Sequence, residues 1–266
     1  MYPTLLSLGP LKIHTYGALI ACGIFLAMIY MSGQAKRQGF DYQKILDITV
    51  YLVLSGILGA RILYVILEYK SFEDDILGIF RIWEGGLVYY GGFLTAFAVG
   101  FYTLKKYKMP LWKTLDLLAP ALPLAHTFGR MGCFFAGCCY GKPTNVPWAI
   151  TFKNPDSLAQ SVLNIPIHPT QIYESLSNFA IFLFLNWFQK RKSFDGEVVW
   201  LYVILYSVMR FTVEFFRADE RGFVFNGLLS TSQFISVILV PLSIFMILTI
   251  RKRKNSPAHV RSRGRV

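Results

Sequence analysis

Seven apolar stretches, each near the roughly 20 residues that carry a helix across a bilayer, recur along this 266-residue chain. They run over about 15–33, 45–67, 87–104, 114–137, 173–189, 198–216 and 229–250. The third and fifth are short, and Pro120 and Pro123 interrupt the fourth. Hydrophobic residues make up 54% of the chain and charged residues only 16%, well below the roughly 25% usual in soluble proteins. The pattern predicts an all-α integral membrane protein of seven spans. One membrane domain covers residues 1–250, with the connection at 140–172 as a loop or lid, and a basic tail fills 251–266. The first stretch lacks a basic leader and a small-x-small cleavage site, so it reads as a retained helix, not a signal peptide.

Charge sets the orientation. Loops 34–44, 105–113 and 190–197 and the segment after Ile250 hold seventeen of the 27 Lys and Arg residues. The alternate loops hold few, and the one at 68–86 also carries Glu68, Glu73, Asp74, Asp75 and Glu84. Basic residues collect on the cytoplasmic side, which puts the N-terminus in the periplasm and the C-terminus in the cytoplasm of a bacterial inner membrane. The net charge of +12 is accounted for by these loops and by anionic lipid. Nucleic acid is excluded as a partner; the bilayer is the partner that composition implies.

The functional information lies in what does not belong in hydrocarbon. A charged side chain at the centre of a span costs about 2.5–3.5 kcal/mol on insertion scales and faces a cavity or a partner. Arg61, Arg130 and Arg210 lie inside expected spans, each toward the outer half. An ion pair with Glu68, Asp116 or Glu214 competes with a ligand as the reason for them. Tyr206, Arg210, Glu214 and Arg217 form one stripe at helical spacing, and His126, Arg130 and Cys133 form another. Gly129, Gly132, Gly137 and Gly141 follow the second stripe and allow close backbone approach. Tyr16-Gly17 and the run Gly85–Gly92 open spans at the same outer depth. Guanidinium groups at that level suit bidentate binding of a phosphate, and a phospholipid headgroup is the natural ligand there.

These residues also resemble a known family, the prolipoprotein diacylglyceryl transferases. Gly129-Arg130-Met131-Gly132-Cys133-Phe134, with Gly137 and Gly141 beyond, is similar to its Gly-Arg-x-Gly-Asn-Phe-x-x-Gly signature. Tyr16-Gly17, Gly59-Ala60-Arg61 with Tyr64, and Asp116 with Ala119-Pro120 fit further elements in order. So do His168-Pro169-Thr170-Gln171-Ile172-Tyr173-Glu174 and the helix from Tyr206 through Arg210-Phe211 to Glu214 and Arg217. The resemblance implies transfer of the diacylglyceryl group of phosphatidylglycerol to the lipobox cysteine of a prolipoprotein signal peptide, with release of glycerol phosphate. It implies no metal and no redox cofactor. By carry-over, Arg130 and Arg210 clamp the phosphate. Tyr16, Tyr206 and Glu214 orient the lipid or the clamp, Gly141 keeps space at the site mouth, and Arg61, Gly132 and Cys133 belong to the substrate site.

Two positions depart from the family pattern. Tyr90-Gly91-Gly92 stands where His-Gly-Gly is usual. Histidine titrates at about 6.5 and tyrosine at about 10, so Tyr90 reads as a hydrogen-bond donor to lipid, and the proton acceptor stays open. His126 is the substitute, with a helix–helix hydrogen bond as its alternative role. Cys133 stands in place of Asn, followed by Cys138 and Cys139. Their spacing is not that of a zinc set. A metal site assembled with His126, a Cys133–Cys138 disulfide, a cysteine nucleophile and plain packing remain open readings. Cys22 reads as packing. A transporter for an anionic solute or lipid is the alternative function; it would normally show repeated halves, and none is evident. A membrane thiol oxidoreductase lacks its Cys-x-x-Cys.

Overall fold

The structure, a computed structural model, describes residues 3–8, 11–73, 75–82, 85–218, 222–224 and 227–255. Asp74, Glu84 and the tail beyond Asn255, all used in the charge argument above, lie outside these. Helices dominate. They are α1 (Thr15–Arg37), α2 (Tyr42–Leu67), α3 (Tyr89–Lys106), α4 (Leu111–Leu118), α5 (Ala121–Ala136), α6 (Thr170–Phe188), α7 (Glu197–Glu214) and α8 (Thr231–Asn255). Among the described residues α1, α2 and α8 are long and apolar enough to cross a membrane. Large apolar side chains such as Phe25, Leu58, Phe97, Leu183 and Phe245 stand exposed on the helices. A soluble monomer does not present apolar surface on that scale. The chain is a multi-pass helical membrane protein.

The helices fall where hydropathy placed them, with two differences. The fourth apolar stretch is two helices, because Pro120 has no N–H to continue α4 and instead starts α5. Residues before α1 are not a plain loop: β1 (Thr4–Leu8) pairs antiparallel with β2 (Leu11–His14). Closing the backbone bonds of such a segment within itself suits a place beside a membrane.

Two compact units divide the chain, residues 1–29 with 115–266 and residues 30–114. In the second, α2 and α3 pack backbone against backbone. A Cβ on Gly59 would collide with Thr95 and the Gly91 carbonyl, one on Gly91 with the Gly59 carbonyl, and one on Gly92 would lie 2.7 Å from the Gly56 carbonyl. Such small-residue seams take the place of hydrophobic driving force between helices in lipid.

In the first unit, Ala119, Ile181, Leu185, Val198, Met209 and Val213 form a core shared by α6, α7 and the α4–α5 junction. The segment 140–172 has a core of its own, Phe152, Ala159, Val162 and Ile167, closed by the pairing of β3 (Ile150–Thr151) with β4 (Pro166–Ile167). Trp148 donates to the Tyr173 hydroxyl at 2.6 Å, fastening this segment to α6.

The connection from α6 to α7 hangs on one carboxylate. Asp116, fully buried, accepts from Lys192 Nζ at 2.9 Å, Gly196 N at 2.8 Å and Val199 N at 3.0 Å. It thereby caps α7, whose N-cap Gly196 has a left-handed backbone and offers no side chain for the purpose. Burial alone would lower the Lys192 pKa, but hydrogen bonds to Asp195 and Asp116 hold it above the ordinary lysine value. That contribution is therefore complete at neutral pH and is lost as pH rises through the raised value. Asp116→Ala is expected to cost about 3–5 kcal/mol, as for stripping one partner from a buried ion pair. Asp195→Ala, at the exposed end of the cluster, is expected to cost under about 1 kcal/mol. Thermal unfolding in detergent measures both, and equal small losses would overturn the role given to Asp116.

Candidate functional site

Five ionised side chains meet where α5, α6 and α7 come together. Glu174, in the first turns of α6, is fully buried. Its Oε2 lies 2.9 Å from Arg130 Nε, and its Oε1 accepts from Arg217 Nη1 at 2.5 Å. Arg130 comes from the middle of α5, and Arg217 follows the end of α7. Arg210, on α7, lies 2.6 Å from Glu214 and donates to Ser232 Oγ of α8 at 3.0 Å. Electrostatic interaction couples Arg210 to Glu174, Arg217 and Arg130 as well. Three guanidinium groups thus face two carboxylates, and the cluster keeps one surplus positive charge. Glu174 Oε2, Arg210 Nη1 and Glu214 Oε2 are buried and find their partners as ion pairs, the first with Arg130 and the other two with each other.

His126 supports this cluster. Arg130 Nε donates to His126 Nε2 at 3.0 Å, one helical turn away. The bond lies within α5, not between helices, and it uses the lone pair that a proton acceptor at Nε2 would need. The Tyr206 ring stands 5.5 Å from the imidazole, and its hydroxyl is hydrogen bonded with Arg130.

Glycines let the first helix reach the same place. A Cβ on Gly132 would lie 3.0 Å from the Tyr16 ring, and one on Gly23 would meet Phe128 at 2.8 Å, so α1 and α5 touch along their backbones. Tyr16 lies within electrostatic reach of Arg130 and of Cys133, Cys138 and Cys139. Gly141 differs from expectation: its Cβ position is filled by the carbonyls of His168 and Phe216. The residue bridges to Arg217, so its smallness serves close packing of three backbone segments and not open space. The His168 backbone pairs with Gly141 and Lys142, and its ring packs 5.1 Å from Phe216. An apolar cleft of about 320 Å³ runs between α7 and α8, lined by Ser207, Val208, Phe211, Val237, Val240 and Pro241 among others.

The three cysteines come together despite their unpromising spacing. Gly137 ends α5 in the left-handed conformation and turns the chain back, so the sulfurs of Cys133, Cys138 and Cys139 all lie within 4.8 Å of one another. All four cysteines are thiols, and Cys22 stands exposed on α1.

Arg61 and Tyr90 belong to the second unit. Arg61 is buried and spends its guanidinium on backbone carbonyls: Ile79 at 2.8 Å, Gly85 at 2.7 Å, Gly86 at 3.1 Å and Gly78 at 2.6 Å. None of Glu68, Asp116 or Glu214 is among these partners. Tyr90 is exposed on the first turn of α3, edge-on to Tyr89.

Comparison with known proteins bears on this arrangement directly. The family model of the prolipoprotein diacylglyceryl transferases matches residues 3–249. The chain belongs to that family. It is 41% identical to the phosphatidylglycerol–prolipoprotein diacylglyceryl transferase of Clostridium tetani over 96% of this chain and 100% of that protein. It is 42% identical to a Clostridium perfringens protein of the same name, numbered 2, over 86% and 88% of the two chains. A Vibrio parahaemolyticus transferase of this name is 33% identical over 94% and 91%.

Sequence reasoning passed over Glu174 and Arg217 as site residues, although both stand in the segments that carried the family resemblance. The signal was there for Glu174. It is the one carboxylate between Asp156 and Asp195 and sits inside an expected span, the same anomaly that drew attention to the arginines. A double-mutant cycle of Glu174→Gln and Arg217→Gln, followed by unfolding in detergent, is expected to give a coupling of about 1–3 kcal/mol. Additive effects would mean the two side chains do not act together.

Proposed function

We propose that this chain transfers the diacylglyceryl group of phosphatidylglycerol to the thiol of a prolipoprotein lipobox cysteine. The thiol gives up its proton to solvent and its sulfur forms a bond to the glycerol carbon, the carbon–oxygen bond to phosphate breaks, and glycerol phosphate leaves. The observation that carries this reading is the buried cluster of three arginines with one positive charge in excess. A phosphate that gains charge as its ester bond breaks is stabilised by fixed positive charge already held in place. Glu174 and Glu214 hold Arg130, Arg210 and Arg217 ready, so little reorganisation accompanies the reaction. His126 positions Arg130 by accepting its Nε–H, and Tyr206 and Tyr16 flank the clamp. The apolar cleft between α7 and α8 suits an acyl chain.

Arg61 enters on its sequence match alone, and Tyr90 on its place in the third-helix motif where the family has His. Arg61 orders the segment before α3 through its four carbonyl partners, and Tyr90 donates a hydrogen bond to lipid. Gly132 admits Tyr16, and Cys133 lies one turn from Arg130. The segment 140–172 is a periplasmic lid built on its own small core. Seven spans carry the chain through the bacterial inner membrane, with α4 and α5 together as the fourth, the N-terminus outside and the basic C-terminus in the cytoplasm. Reporter fusions after residues 110, 192 and 255 are expected to read cytoplasmic, and one inserted near residue 155 periplasmic. The reverse pattern would overturn the orientation.

Purified protein in vesicles containing phosphatidylglycerol, given a lipobox peptide, is expected to add a diacylglyceryl mass to the peptide and release an equal amount of glycerol phosphate. Neither product from folded protein would overturn the proposal. Arg130→Ala and Arg210→Ala should each lower turnover by about 10²–10³-fold, the size of effect for removing one donor to a developing anion. Tyr90→Phe should cost less than either. Near-normal turnover by both arginine variants would remove the clamp.

A further inference from the structure

Beside the arginine cluster lies a group of side chains that charge stabilisation does not use. Cys133 sits in the last turn of α5, and Cys138 and Cys139 follow the left-handed turn at Gly137. Their three sulfurs converge within 4.8 Å of one another. The loop that presents two of them is built. Thr170 and Gln171, both fully buried at the start of α6, donate to the carbonyls of Cys139 and Cys138, each at 2.8 Å. Cys139 itself is held at φ 61, a left-handed conformation that a non-glycine residue adopts at a cost, and such strain gathers at functional sites. Packing alone would not call for a strained backbone and two buried side chains to turn two adjacent thiols toward a third.

We infer that Cys133, Cys138 and Cys139 bind one soft metal ion of the zinc class through three thiolates, leaving its fourth position to an external thiol. Sulfurs on a tetrahedral ion at about 2.3 Å lie ~3.8 Å apart, which these three reach with small side-chain rotations. A disulfide at about 2.05 Å would use two of the three and leave the other without a role. Soft thiolate sets select zinc and monovalent copper over hard cations, and three protein ligands leave an open position of the kind found in reactive zinc sites.

The open position gives the site a purpose. A thiol entering it transfers its proton to solvent and binds as thiolate, so the acceptor sulfur is activated without a neighbouring base. This suits a cluster in which the imidazole of His126 is already engaged by Arg130. That the entering thiol is the lipobox cysteine rests on the function proposed above; the metal site itself does not.

Cadmium reads the site directly, through its sulfur-to-metal charge-transfer absorbance. Reduced full-length protein in detergent, titrated with Cd²⁺, is expected to take up one ion with the intensity of three thiolates. Cys22→Ser should leave that signal unchanged, whereas Cys138→Ser and Cys139→Ser should each weaken binding by roughly 10-fold or more, at least the effect of disturbing a supporting residue. Adding a lipobox peptide should raise the absorbance by one further thiolate, and its Cys-to-Ser counterpart should not. Absence of a three-thiolate signal in folded protein, or mass spectrometry showing a native disulfide among the three, would overturn the metal site. An unchanged band on adding the thiol peptide would overturn the open position. Because this titration requires no turnover, its failure is distinguishable from failure of the transferase assay.

Discussion

Glu174 is a carboxylate with almost no access to water, held between the buried guanidinium of Arg217 and that of Arg130, whose side chain is 11% exposed. None of the three could be accommodated alone, since an unpaired ion at that depth costs several kcal/mol. The pairings therefore dictate geometry. Arg130 fixes the rotation of α5 against α6, and Arg217 brings the chain leaving α7 back over the start of α6. From there the backbone bridge to Gly141 and the close approach to His168 follow, because the segment carrying Arg217 must run alongside both. A structure that depends on opposite charges inside an apolar envelope has few alternative packings, and this rigidity is what a site for a developing anion needs.

The same economy of contact appears where no charge is involved. Helices in lipid gain little from hiding apolar side chains, since lipid tails are equally apolar, so close approach must supply dispersion contacts. In the first unit Gly23 and Gly132 let α1 lie against α5; in the second, Gly59, Gly91 and Gly92 let α2 lie against α3. Gly91 and Gly92 sit in the motif that begins at Tyr90, and their smallness is accounted for by α2. A motif that marks a site in the sequence can thus be in large part a helix-packing seam in space.

How much of this was readable beforehand follows from which physical signals are local. A bilayer imposes a length and a composition on every span, so helices α1 to α8 lie close to where hydropathy put them. Arginines in hydrocarbon are anomalies visible one residue at a time, and Arg130 and Arg210 duly converge. Partners are not local. Whether Arg61 meets a carboxylate, a ligand or a ring of carbonyls depends on how residues 76–86 fold back, and no periodicity encodes that. Gly141 was legible as a required small residue but not as a required contact, because the neighbours that fill its space come from residues 168 and 216. The hairpin at 4–14 and the core of 140–172 escaped notice for a related reason: short strands paired within a loop leave no run long enough to register.

The cysteines extend this point to chemistry. Spacings of five and one along the chain fit no familiar ligand set, and by that criterion they were passed over. Such criteria presume regular backbone between ligands. Here a left-handed glycine ends the helix and a left-handed cysteine turns the loop, so sequence spacing no longer measures distance between sulfurs. The buried hydroxyl and amide that grip the loop carbonyls come from Thr170 and Gln171, four and three residues before Glu174. One short stretch at the start of α6 therefore places both the arginines and the thiols. In a reaction that joins a sulfur to a carbon while a phosphate departs, the two ends of the transition state, an incoming thiolate and an outgoing anion, need opposite treatment a few ångströms apart. A single helix start that aims a carboxylate at the arginines and neutral donors at the thiol loop supplies that separation.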